Sequence, residues 1–155
     1  MLCIAAADAA APRKGRQMRI AIVYDSRTGT TRAAAEDMKR MASERGHECS
    51  VTAVDTADAA EVSAADAVCI GSWTEGLFFI LQHATKATME FIDRLSLDRA
   101  PAVVFCTYKT SPGKMLDKMA DRLEASGGTV TGRLRSKGRT APDGFADWLG
   151  SLGAH

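Results

Sequence analysis

Six consecutive residues, Ser26, Arg27, Thr28, Gly29, Thr30 and Thr31, concentrate hydrogen-bonding groups just before a helical pattern begins. Four carry hydroxyls and one is a glycine, and the apolar run Ile20-Ala21-Ile22-Val23-Tyr24 leads directly into them. The first N–H groups of a helix have no partner within it, and the aligned peptide dipoles make that end electropositive. A strand feeding such a turn and then a helix is therefore suited to a phosphate. The turn has neither the lysine of a nucleoside-triphosphate loop nor the three spaced glycines of a dinucleotide fingerprint. Its N–H and O–H donors are neutral, which suits a bound phosphate monoester that stays in place. Arg27 could add a charge, although an arginine in such a turn more often points to water. The structural alternative is a helix N-cap cluster with no ligand.

Two aromatic residues fall where later loops are expected, Trp73 within Ser72-Trp73-Thr74 and Tyr108 after Thr107. A flat aromatic ligand could lie between them, each offset stack contributing roughly 0.5–1.5 kcal/mol beyond area burial. Partial packing onto neighbouring helices is the plainer reading of both rings. No residue stands out as a catalyst. His83 follows an apolar run and reads as a helix-surface histidine, while Glu75 reads as either solvated or part of the ligand's electrostatic surroundings. Asp25 is similar to a phospho-acceptor of receiver domains, but Gly71 stands where a second aspartate would be needed. A G-x-S-x-G elbow is absent.

Cys3, Cys49, Cys69 and Cys106 are scattered without a C-x-x-C pair, so no zinc ribbon or iron–sulfur cluster is spelled out and no metal is expected. Four reduced thiols in a cytoplasm are expected, with Cys69 and Cys106 as small core residues. No C-x5-R phosphatase loop begins at any of the four. No apolar run approaches the roughly 18–20 residues that span a bilayer.

The elements that must position these residues follow from periodicity. The 155 residues suit one domain. Residues 1 to 17, with Pro12-Arg13-Lys14-Gly15-Arg16, lack the long apolar centre of a secretory signal and read as a disordered tail, leaving a domain over 18–155. Met18 directly precedes the first strand and is a candidate translation start. Ala34, Met38, Met41 and Ala42 mark a helix that Gly46 can cap. Glu48 to Val54 alternates as a strand, a short helix spans about 57–64, and Ala67-Val68-Cys69-Ile70 is a third strand ending at Gly71.

The apolar run Leu77 to Leu81 is expected to lead into a helix through Met89, Ile92 and Leu95. Pro101 introduces a fourth strand over 102–106, and Met115, Leu116, Met119 and Leu123 line a helix that Gly127-Gly128 stops. Thr129 to Arg135 alternates again, with Val130 and Leu134 inward and Arg133 and Arg135 outward, before a last helix over about 143–152. Five strands alternating with helices predict a three-layer α/β/α fold on a parallel sheet with right-handed crossovers. Strands buried on both faces read as unbroken apolar runs, so the alternating second and fifth belong at the edges, in the order 2-1-3-4-5.

With these elements in place, Ser26-x-Thr28-Gly29-x-Thr31 after a first strand resembles the FMN-phosphate loop of flavodoxins. The resemblance covers nearly all of residues 18 to 152, and the phosphate loop is its specific part. It implies FMN as cofactor, with Ser26, Arg27, Thr28, Gly29, Thr30 and Thr31 at the phosphate and Ser72, Trp73, Thr74, Thr107 and Tyr108 at the ring. It further implies electron transfer with a redox partner protein or a small-molecule electron acceptor, the flavin doing the chemistry. In that family a backbone rearrangement beside the flavin stabilises the one-electron-reduced form. The segment in question here, Trp73 to Gly76, departs from common flavodoxin loops.

Charge is a second departure, because typical flavodoxins are strongly acidic and meet basic partners. This chain has a net charge of +1, and residues 109 to 139 hold eight basic and three acidic residues. Cations on an edge strand keep it soluble and unpaired. The sharper reading is an anionic partner or a nicotinamide phosphate, which would suit an NAD(P)H-dependent FMN reductase of quinones or similar acceptors. A flavodoxin-like binding module without flavin is the third possibility, since sites and not folds determine function. No nucleic-acid motif accompanies the basic residues, and neither nucleic acid nor a membrane is expected as partner.

Overall fold

Ile20 to Val23 is continuously apolar because it is covered on both sides, and all four residues are buried in the first strand, β1 (Arg19–Asp25). The computed structural model describes residues 17–73, 75–77, 80–107, 114–136 and 138–152. The expected tail over residues 1 to 17 lies, all but its last residue, outside the described residues, as do Thr74 and Tyr108.

The chain continues through α1 (Thr30–Glu44), β2 (Glu48–Ala53), α2 (Ala59–Ser63), β3 (Ala67–Trp73), β4 (Glu75–Leu77) and β5 (Ile80–His83). Then come α3 (Lys86–Asp93), β6 (Pro101–Thr107), α4 (Met115–Ala125), β7 (Thr129–Ser136) and α5 (Phe145–Ser151). The main sheet has the order β2-β1-β3-β6-β7, and every neighbouring pair is parallel. With β4 and β5 set aside, this is the order 2-1-3-4-5, with the two alternating strands at the edges.

Two apolar layers sandwich the sheet. On one face Val68, Ile70, Val104 and Cys106 pack with Val62, Phe91, Ile92, Met119 and Leu123 from α2, α3 and α4. On the other, Ile20, Ile22, Cys69 and Phe105 pack with Ala35, Met38, Trp148 and Leu149 from α1 and α5. The expected stripe of α1 is buried at Ala34, Met38 and Ala42, with Met41 only partly covered. Gly46 ends the helix in the left-handed region at φ 88°, and the His47 N–H donates back to the Ala42 carbonyl at 3.1 Å.

Three local expectations are corrected. The third strand does not end at Gly71: it runs to Trp73, pairing Gly71 with Phe105, Ser72 with Cys106 and Trp73 with Thr107. Gly71 is no turn residue, because a Cβ there would fall inside the Phe105 ring. Residues 75–77 and 80–83, read as part of a loop and an apolar run, pair antiparallel as β4 and β5, so His83 ends a strand instead of sitting on a helix. Val130 and Leu134 do not share a face. The β6–β7 register jumps from Ala102↔Val130 to Val103↔Gly132, leaving Thr131 as the extra residue of a bulge. Val130 consequently packs into the first layer and Leu134 into the second.

Candidate functional site

The carboxyl ends of β1, β3 and β6 stand side by side and bring three predicted segments together. At the first, Gly29 has φ 90° and ψ −4°, a left-handed conformation that lets the chain leave β1 and enter α1 within a few residues. Its N–H donates to Ser26 Oγ at 3.0 Å, which closes the turn on itself.

The start of α1 is open. No side chain caps it, its first turn contains no acidic residue, and its first backbone bond runs from the Ala33 N–H to the Gly29 carbonyl at 2.9 Å. Among the described residues the N–H groups of Thr30, Thr31 and Arg32 make no hydrogen bond. The hydroxyls of Thr28, exposed, and Thr30, half-buried, lie 3.3 Å apart at the same end. Unpaired N–H groups, two reachable hydroxyls and the positive end of a helix dipole form a donor set that fits a phosphate monoester. A shallow cleft of about 350 Å³ borders the turn, lined in part by Asp25, Ser26, Gly29 and Arg32.

Thr31 is used differently from its neighbours. It is 1% exposed, and its hydroxyl hydrogen-bonds that of Thr107, the last residue of β6, at 2.6 Å. This bond ties the first turn of α1 to the strand that leads towards Tyr108. Ser72 is likewise turned inward, 0% exposed, donating to its neighbour's carbonyl on Trp73 at 2.8 Å and accepting from the Thr85 N–H at 3.2 Å.

A network that sequence reasoning missed lies beneath this edge. Thr85 caps α3 by accepting from the Thr88 N–H at 3.2 Å, and its hydroxyl lies 2.8 Å from that of Thr88. The same hydroxyl donates to Asp25 Oδ2 in a short bond. Asp25 lies opposite Ser72 in the ladder, so β1, β3 and α3 are locked together just below the open turn. Thr85-x-x-Thr88 ahead of an apolar stripe was the one available signal, a hydroxyl cap.

Trp73 is half-buried at the end of β3, and the guanidinium of Arg27 lies over its ring, 5.4 Å from the centroid. Arg27 therefore faces an aromatic residue of the second segment instead of projecting freely into water.

The remaining candidates are structural among the described residues. Cys69 and Cys106 are buried; burial pushes the Cys69 thiol well up and that of Cys49 up to about 11, so neither is a thiolate at neutral pH. Among the described residues no group of His, Cys, Asp and Glu side chains is arranged to hold a metal, and no helix is long and apolar enough to cross a membrane. On the basic edge, Arg133 pairs with Asp117 at 3.1 Å. It shares a cleft of about 610 Å³ with Arg135, Thr140 and Asp143.

A family model described as Flavodoxin matches residues 22–148. The chain is similar to the two-electron reduced flavodoxin of Megasphaera elsdenii, with 24% identity, 87% of this chain and 98% of that one covered, and a TM-score of 0.71. It is similar to oxidised flavodoxin 1 from Bacillus cereus, with 19% identity, 88% and 95% covered, and a TM-score of 0.64. Rubredoxin oxygen:oxidoreductase from Desulfovibrio gigas is also similar, at 18% identity and a TM-score of 0.66, over 88% of this chain and 34% of that one. No curated protein matches the chain.

Proposed function

This chain belongs to the flavodoxin family, and from that premise we propose that it binds FMN and carries electrons between a donor and a redox partner or small-molecule acceptor. The observation that carries this reading is the open start of α1, where among the described residues the N–H groups of Thr30, Thr31 and Arg32 make no hydrogen bond and the Thr28 and Thr30 hydroxyls are bonded only to each other, at 3.3 Å.

In this reading Gly29 sets the turn, Ser26 holds it closed, and Thr28 and Thr30 donate to the FMN phosphate. Thr31 keeps the helix start against β6 through Thr107. Trp73 shields one side of the ring from water, with Thr74 and Tyr108 as its proposed neighbours, and Ser72 orients Trp73 through the strand end. Bound FMN would supply the electron-accepting ring, and the protein's share is to hold and desolvate it. The proposed domain is 18–155, and cysteines kept as thiols, Cys49, Cys69 and Cys106, suit a reducing compartment, the cytoplasm.

The test is a titration of the flavin-free protein with FMN and with riboflavin, followed by its visible spectrum. FMN is expected to bind more tightly than riboflavin, and Thr28→Ala to narrow that gap several-fold. Equal affinity for the two would overturn the phosphate assignment, and no binding of either would leave a family member without flavin. Oxidation of NADPH by the FMN-loaded protein alone would reassign it as a reductase.

A further inference from the structure

We propose that Arg27 is a redox-tuning residue, a positive charge held against the ring-side wall of the cofactor site that favours reduced FMN over oxidised FMN. The inference rests on the FMN reading above and adds to it the role of one side chain.

Three observations carry it. Arg27 is the single charged residue of a turn whose other donors, from Ser26 to Thr31, are neutral. Its guanidinium is not left to wander: it lies 5.4 Å from the centroid of Trp73, so the residue spans from the phosphate end of the site to the ring end. Among the described residues no carboxylate pairs with it, in contrast to Arg40, Arg122 and Arg133, which are matched by Asp37 and Glu44, Asp93 and Asp117. The charge is thus localised by an aromatic face without being neutralised by an anion.

The consequence depends on what changes during reduction. The phosphate charge is the same before and after, so the attraction of Arg27 for it cancels from any comparison of the two redox states. The ring differs, because uptake of two electrons and one proton leaves it with one added negative charge. A cation one indole away lies well inside the Debye length and interacts with that new charge in a partly desolvated site. Arg27 therefore strengthens binding of the reduced cofactor more than that of the oxidised one.

The test measures dissociation constants for oxidised FMN and for FMN reduced anaerobically with dithionite, using the full chain with Arg27, Arg27→Gln and Arg27→Lys. Tryptophan fluorescence of the flavin-free proteins is recorded alongside. Arg27 is exposed, so both variants are expected to fold. Arg27→Gln is expected to weaken the reduced complex about three- to tenfold more than the oxidised one. A tenfold difference lowers the two-electron midpoint potential by about 30 mV. Arg27→Lys is expected to retain most of the preference, and loss of the guanidinium from Trp73 is expected to change the emission before any flavin is added. If Arg27→Gln weakens both complexes equally, the residue serves the phosphate alone and the redox assignment falls while the FMN reading stands. If neither affinity changes, the inference likewise falls alone. Failure of the unaltered protein to bind FMN overturns both.

Discussion

Thr31 in the first turn of α1 and Thr107 at the end of β6 join hydroxyls at 2.6 Å in the protein interior. The pair couples the phosphate turn to the strand on the far side of β3, so a buried bond ties the two ends of the proposed cofactor site to each other. Removing the Thr107 hydroxyl takes from the buried Thr31 hydroxyl its partner, at a cost of about 1–3 kcal/mol. Thr107→Val, nearly isosteric, is therefore expected to lower the unfolding free energy by about 1–3 kcal/mol in urea denaturation. An unchanged midpoint would mean that Thr31 finds a substitute partner.

Gly29 has a φ of 90°, and a Cβ on it would meet nothing within 4 Å. Substitution there costs only backbone conformation, about 1–2 kcal/mol for an L-residue in the left-handed region. Gly29→Ala is expected to lose that much stability, and to lose FMN affinity out of proportion to riboflavin affinity. Equal losses for the two ligands would separate Gly29 from the phosphate.

Gly71 has the opposite character. Its φ is ordinary, but the Phe105 ring occupies the space a side chain would need. Gly71→Ala is expected to destabilise by about 1–3 kcal/mol through overpacking. In combination with Phe105→Leu the cost should be smaller than the sum of the two single changes, which a double-mutant cycle measures. Simple additivity would refute the steric account.

His47 Nδ1 accepts a hydrogen bond from the Met18 N–H at 3.1 Å, which requires that nitrogen to be unprotonated. Burial first, and the charge of Arg45 second, hold its pKa below the usual 6.5. A group with a depressed folded pKa gives its full contribution above the unfolded value and loses it as the pH falls through the folded one. Stability is therefore expected to decline as the pH drops below about 6.5 towards 5, and His47→Gln to flatten that part of the profile. Denaturation midpoints of the two proteins across that window provide the check.

How much of this was legible in the sequence depended on whether the determining contact was local. Unbroken apolar runs against alternating ones revealed which strands are central, because each strand carries that record itself. Ser26 to Thr31 were legible for the same reason, as turn chemistry written in consecutive residues. Gly71 misled because its reason for being glycine is Phe105, a ring 34 positions away in the chain. The Asp25–Thr85–Ser72 network was equally invisible, joining residues with no motif in common. The β4–β5 pair was hidden by its short strands, and Thr131 by a bulge that no period-two pattern anticipates.

That bulge has a consequence for how the molecule comes apart. Because β7 places Val130 in one apolar layer and Leu134 in the other, and its Thr131 accepts from the Trp148 indole N–H at 2.8 Å, peeling this strand from the sheet strips anchors from both layers at once. The strand therefore acts as a latch shared by the two layers, and its loss costs both of them apolar contacts together.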